Sequence, residues 1–135
     1  MKINFKNIAV IGTGVIGAGW IIRFLHNGKK VYVYDPNIEQ KKFLLSEINR
    51  TKIILKKYYK KSLNLKTNLI FCKNIKDAVE NADLIQENVP ENEKIKIKII
   101  EQISKYTKKN SIIASSSSGL LPTKIQIKCV NPERF

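Results

Sequence analysis

The sequence predicts an α/β fold in which a doubly wound, mostly parallel sheet carries helices on both faces. Three observations predict it. Short apolar runs alternate with longer stretches of helical spacing along the whole chain. A glycine-rich turn joins the first of these runs to the first helix. With 135 residues, 43% of them hydrophobic, the chain has the size of one compact domain, read here as residues 1–135. No apolar run approaches the roughly 20 residues that cross a bilayer. The opening "MKINFKNIAV" also lacks the apolar stretch and small-residue cleavage site of a secretory leader. The expectation is a cytoplasmic protein that makes no use of a membrane.

Each element follows from local pattern. Ile8 to Ile11 form a short apolar run entering the glycine turn, which suits a strand buried on both faces. "VIGAGWIIRFLHNG" then has helical spacing at Ile16, Trp20 and Leu25 and stops at Gly28. "KVYVYD" is a second strand ending in Asp35, and strand, helix and strand together make a βαβ unit. From Asn37 to about Leu63, Leu44, Ile48, Leu55 and Tyr59 lie near one stripe of a long helix. "NLIFC" reads as a third strand, "NIKDAVENA" as a short helix capped by Asn74, and "DLIQENV" as a fourth strand. "EKIKIKII" alternates like a strand, yet Ile95, Ile99 and Ile103 sit four apart like a helix. Charge breaks the tie. Glu91 and Glu93 stand at its start and Lys105, Lys108 and Lys109 at its end, as a helix dipole favours. "SIIAS" is the fifth strand, with a run of serines at its carboxyl end.

The net charge of +14 raises nucleic acid or an anionic surface as a partner. Its composition argues against that use. Among 25 basic residues only Arg23, Arg50 and Arg134 are arginine, the side chain suited to bidentate reading of phosphates and bases. The excess of Lys, Ile and Asn runs along the whole chain and reads as biased codon usage. No nucleic-acid partner is expected. Cys72 and Cys129 are too few and too far apart for a disulfide framework, and no C-x-x-C or His–Cys cluster offers a metal site.

The turn "GTGVIG" places Gly12, Gly14 and Gly17 between the first strand and the first helix. Each meets a demand of dinucleotide binding: a tight turn at Gly12, close backbone approach to a pyrophosphate at Gly14, and close helix-on-strand packing at Gly17. Thr13, Val15 and Ile16 lie between these glycines, and the helix amino terminus offers free N–H groups to an anion. Asp35 lies at the end of the second strand, where a carboxylate accepts hydrogen bonds from the adenosine ribose and repels a 2′-phosphate. The predicted cofactor is NAD on a Rossmann-type sheet. The competing reading of Asp35 is a turn former before Pro36.

The segments "VIGTGVIGAGW", "YDPN", "ADLIQENVPENEKIK" and "ASSSSGLLPTKIQ" together resemble the NAD-binding domain of the L-3-hydroxyacyl-CoA dehydrogenase superfamily. "IQENVPEN" and "SSSSGLLP" with "NPERF" look most like the carnitine 3-dehydrogenase branch, with the lambda-crystallin (gulonate dehydrogenase) branch next. The resemblance implies hydride transfer from the 3-hydroxyl of a small 3-hydroxy acid to NAD. It also implies that Gly12 through Gly17, with Thr13, Val15 and Ile16 among them, hold the cofactor pyrophosphate and Asp35 its ribose, that Glu91 and Lys96 approach the cofactor, and that Ser118 is catalytic, contacting substrate and nicotinamide. On residues alone, Glu91 and Lys96 are a helix-start charge and a solvated lysine, and the serine run is a polar loop. Ser115, Ser116 and Ser117 keep the loop reading.

In the relatives a histidine soon after the "PER" segment is the general base, and a C-terminal helical domain forms the homodimer and closes the substrate cleft. The sequence stops at Phe135 before either, so the expectation is a domain truncated ahead of the catalytic histidine, able to bind NAD but not to turn substrate over. His26, the one histidine, reads as a surface or helix-end residue. The lysine-rich helix from Lys41 to Lys61 reads as a solvated face, or as a site for an acidic substrate. Two other functions stay open: a 3-hydroxyacyl-CoA dehydrogenase of fatty acid metabolism, whose substrate is the CoA thioester, and a non-catalytic basic binding module.

Overall fold

A computed structural model describes residues 5–60, 63 and 65–135. Five strands build its sheet: β1 (Asn7–Ile11), β2 (Lys30–Tyr34), β3 (Leu69–Phe71), β4 (Leu84–Glu87) and β5 (Ile112–Ser115). The order across the sheet is β3-β2-β1-β4-β5, and every neighbouring pair is parallel. The helices are α1 (Val15–His26), α2 (Glu39–Tyr59), α3 (Leu65–Asn68), α4 (Ile75–Val79), α5 (Glu93–Tyr106) and α6 (Pro122–Ile125), followed by a 3₁₀ turn at Pro132–Arg134.

Side-chain alternation along β1 divides the interior into two layers. Ile8 and Val10 join Ile21 and Leu25 of α1 and Leu44 and Ile48 of α2 on one face. Ala9 and Ile11 join Val79 of α4, Ile85 of β4 and Ile103 of α5 on the other. This is the doubly wound arrangement expected from the sequence, and it explains why β1 is apolar at every position from Ile8 to Ile11. The sheet order reverses between β1 and β4, so the crevice at their carboxyl ends is where such a sheet binds ligands.

Several boundaries differ from expectation. The helix expected over Asn37 to Leu63 runs from Glu39 to Tyr59 and ends at Lys60 with φ +51°, while residues 61 and 62, and with them Lys61, lie outside the described residues. Leu63 is not helical but is buried. The helical turn α3 and the short α6 behind Pro122 carry too little periodic pattern to be read in advance. Asn74 caps α4 as expected, its side-chain oxygen accepting the Asp77 N–H at 2.8 Å. Asn92 does the same for α5 through the Ile95 N–H at 3.1 Å, a cap the sequence reading missed. The segment "EKIKIKII" is helix throughout, and Ile100 at its end and Ile103 one turn further along α5 are buried.

Asp83 staples the amino-terminal edge of the sheet. One oxygen accepts the N–H groups of Lys6 and Asn7, each at 2.9 Å, and the other pairs with the Lys108 ammonium at 2.8 Å. Partial desolvation pushes its carboxyl up. The Asn7 N–H, the Lys108 ammonium and the Lys6 N–H outweigh that, and the net direction is below the ordinary 3.8. A carboxylate held low stabilises the fold above its unfolded value, and that contribution disappears as pH falls through the folded value. Asp83→Asn is therefore expected to lower stability at pH 7 by about 1 kcal/mol after solvent screening. Urea melts at pH 7 and pH 3 should show the gap narrowing at pH 3; an equal gap at both would remove the ionic part of the account.

Candidate functional site

The carboxyl edge of the sheet gathers four segments: the glycine turn after β1, Asp35 after β2, residues 86–91 at and after β4, and the serines after β5. Within the glycine turn the three glycines answer different constraints. Gly12 has φ +89°, and a Cβ there would lie 2.8 Å from the Asn88 carbonyl oxygen. A Cβ on Gly17 would drive into the Gly12 carbonyl. On Gly14 it would meet nothing within 4 Å. Gly12 and Gly17 are thus required by the fold itself, whereas Gly14 opens onto free space in front of the first turn of α1. That turn has no side-chain cap, and Val15 and Ile16 are exposed beside it. Uncapped N–H groups facing open space are what an anionic diphosphate needs.

Asp35 is fixed to this turn. Its Oδ2 accepts the Thr13 N–H at 2.8 Å and the Thr13 hydroxyl at 3.1 Å, and its Oδ1 accepts the Asn37 N–H at 2.9 Å. The last bond is the local turn anticipated before Pro36, so the turn-forming and turn-linking roles coexist. Thr13 is buried and acts through its hydroxyl, not merely as a spacer. On one side of Asp35 a cleft of about 610 Å³ is lined mostly by apolar groups, among them Pro36, Val89, Ile95 and Ile99. A second hollow of about 370 Å³ lies on the other side, walled by Lys41, Phe71 and Cys72.

The polar run at the end of β4 is held from within. Glu87 is fully buried and pairs with Lys96, whose ammonium lies 2.9 and 3.1 Å from its two oxygens. Lys96 is only 1% exposed. Its ammonium also donates to the Val89 carbonyl at 3.1 Å. Glu91, half-exposed, takes up the position nearer the opening, 3.6 Å from the Lys96 ammonium. Its Oε1 accepts the N–H groups of Ser118 and Gly119 at 3.0 Å, and both its oxygens accept from the Ser117 hydroxyl. The Gly119 N–H contributes most to holding the Glu91 carboxyl below the ordinary 4.5; slight desolvation opposes, and Ser117, Ser118 and Lys96 add to the lowering.

The four serines divide their work. The Ser115 hydroxyl donates to the Glu87 carboxylate, the Ser116 hydroxyl to Asn88 Oδ1 at 2.7 Å, and the Ser117 hydroxyl to Glu91. Ser116 also accepts from the Gln86 amide at 2.9 Å. These three are structural ties, more specific than a polar loop. Ser118 differs: it is exposed, and among the described residues its hydroxyl has no hydrogen-bond partner. It borders a hollow of about 520 Å³ with Gly119, Leu121 and Phe135. His26 is the last residue of α1, packed edge-on against Tyr59 at the opposite end of that helix from the glycine turn. Gln86, Glu87 and Asn88 were not singled out from sequence. The signal available was three adjacent polar residues at the carboxyl end of a strand flanked on both sides, Gln86 and Glu87 within it and Asn88 just after, which can lie there only with partners.

An open parallel sheet with a glycine turn, an uncapped helix start and a carboxylate tied to both defines a dinucleotide-binding domain. The model of the 3-hydroxyacyl-CoA dehydrogenase NAD-binding domain matches residues 7–135, and the chain belongs to that family. The chain is 43% identical over 130 residues to an L-carnitine dehydrogenase of Oceanobacillus iheyensis and 41% identical over 133 residues to one of Bacillus cereus. These alignments cover 96% and 98% of the chain but 42% and 41% of the relatives, so it spans about two fifths of their length. Among solved structures it is similar to the 3-hydroxybutyryl-CoA dehydrogenase of Escherichia coli, with a TM-score of 0.84 at 26% identity over 98% of the chain and 29% of that protein. Among the described residues no helix is long and apolar enough to cross a membrane.

Proposed function

We propose that this domain holds NAD for a dehydrogenase that oxidises the 3-hydroxyl of a small polar 3-hydroxy acid of the carnitine type. In this reading the N–H groups from Gly12 to Gly17 receive the diphosphate, Asp35 receives the adenosine ribose, and the apolar cleft beside Pro36 and Ile95 takes the adenine. The nicotinamide end lies toward Glu91 and the serine loop. When bound, NAD supplies the hydride acceptor. Ser118 offers its unpartnered hydroxyl to a substrate oxygen without adding charge. Lys96 contributes from beneath, as a support rather than a direct ligand.

The observation that carries the reading is the pair of bonds from Thr13 to Asp35, which puts the ribose acceptor and the diphosphate cradle in one rigid unit. A carnitine-like substrate is favoured over a CoA thioester by identity: 43% to an L-carnitine dehydrogenase against 26% to the hydroxybutyryl-CoA enzyme. The same reading puts the whole enzyme in the cytoplasm as a homodimer. The purified chain should bind NADH more tightly than NADPH in a fluorescence titration, and Asp35→Ser should shrink the preference by about tenfold, the loss of one charge-assisted bond. Equal binding of both cofactors by the parent chain would count against the reading. Since His26 lies at the wrong end of α1, the chain should bind NADH without oxidising L-carnitine.

A further inference from the structure

The buried carboxylate of Glu87 has no part in the chemistry proposed above, yet three elements converge on it. From its own strand end it accepts the Val89 N–H at 2.6 Å, from α5 the Lys96 ammonium, and from β5 the Ser115 hydroxyl. Lys96 also donates to the Val89 carbonyl at 3.1 Å and faces Glu91. Glu91 in turn receives the N–H groups of Ser118 and Gly119. Charge-assisted hydrogen bonds at either end, joined by the 3.6 Å ion pair of Lys96 with Glu91, thus link the interior of the sheet to the loop that presents Ser118. Each member is positioned by the one before it, and the first is the most deeply buried.

An ion pair in this position is not needed for stability, because well-packed apolar side chains of similar size commonly serve as well or better. Its distinctive consequence is geometric. The Lys96 ammonium is the only cation paired with Glu91 among the described residues, and Glu87 with the Val89 carbonyl aims that ammonium. The opposite side of the serine loop is secured separately, through Ser116, Asn88 and Gln86. Loss of the pair should therefore displace Ser117 to Gly119 and spare the glycine turn.

We propose that Glu87 is a positioning residue of the cofactor site, acting through Lys96 to set Glu91 and, through Glu91, the loop carrying Ser118. The proposal rests on the reading that this loop forms the nicotinamide end of the site. Its function is to keep the loop ordered before the cofactor arrives, which removes an ordering cost from binding. A single substitution would leave one charge buried alone and confuse folding with placement, so the informative variant removes both charges: Glu87→Gln with Lys96→Met. Urea melts, amide NMR of Ser118 and Gly119, and NADH titration are read on this variant and on the parent.

The double variant should unfold within about 1 kcal/mol of the parent, since neither charge is left unpaired. The Ser118 and Gly119 amide signals should move while those of Gly12 and Gly14 stay, and NADH should bind about fivefold more weakly or worse, the lower end of couplings between linked groups. Parental Ser118 and Gly119 signals would overturn the proposal, and so would parental NADH affinity in a variant whose signals had moved. If the parent chain binds no NADH, the reading of the site fails instead, and the two amides alone then decide whether Glu87 positions the loop.

Discussion

Gly14→Ala is expected to leave the domain folded and to weaken NADH binding by at least about tenfold, which is 1.4 kcal/mol. Gly17→Ala is expected to destabilise the fold itself by about 3 kcal/mol, the upper range for forcing a methyl group into a packed site. The two glycines stand three residues apart in one motif, yet their surroundings separate them. A Cβ at Gly17 points into the Gly12 carbonyl, a backbone atom that yields only if the whole turn shifts. At Gly14 a Cβ meets nothing, and φ there is −61°, which alanine adopts freely. Alanine is a poorer helix cap than glycine, but it also restricts the unfolded chain, and the two effects nearly cancel. The only thing a methyl group at Gly14 obstructs is a ligand. Urea melts and NADH titrations of both variants check the pair. A Gly14→Ala variant that kept full NADH affinity would mean the diphosphate does not lie against that backbone.

This contrast also marks what the sequence could disclose. Spacing alone located the turn, its helix and Asp35, because each is dictated by local backbone chemistry: a left-handed residue at Gly12, a close approach at Gly17, a carboxylate at a strand tip. Helix α5 was legible for a similar reason, since the charges at its two ends complement a dipole and alternation alone could not decide. The interior of the site was less so. Lys96 reads as one more lysine in a lysine-rich segment, and nothing adjacent to it in sequence announces a partner nine residues earlier on another element. Glu87 is hidden in the same way within "LIQENV". Only the parallel register of β1, β4 and β5 brings Ser115 opposite Glu87 and turns three polar residues into a network. Burial of polar groups is a tertiary fact, and the sequence records it only as an anomaly within an apolar pattern.

Lys96→Met alone should cost about 3–5 kcal/mol, the range for removing one partner of a buried ion pair. The cause is less the loss of attraction than the state of what remains. Glu87 is 0% exposed, and without the ammonium its carboxylate keeps only the Val89 N–H and the Ser115 hydroxyl. A domain of this size is commonly stable by only about 5–15 kcal/mol, so the loss is a large share of the total. The paired substitution makes the prediction specific. Adding Glu87→Gln to Lys96→Met should restore most of the lost stability, because the uncompensated charge is then gone although one more hydrogen-bonding group has been altered. Two destabilising changes would thus combine to give a more stable protein than one of them alone, a coupling of opposite sign to simple addition. Urea denaturation of the parent, the two single variants and the double variant gives the coupling directly. Losses that simply add would show that Glu87 and Lys96 act independently in the folded chain, and the interior of the site would then need a different electrostatic account.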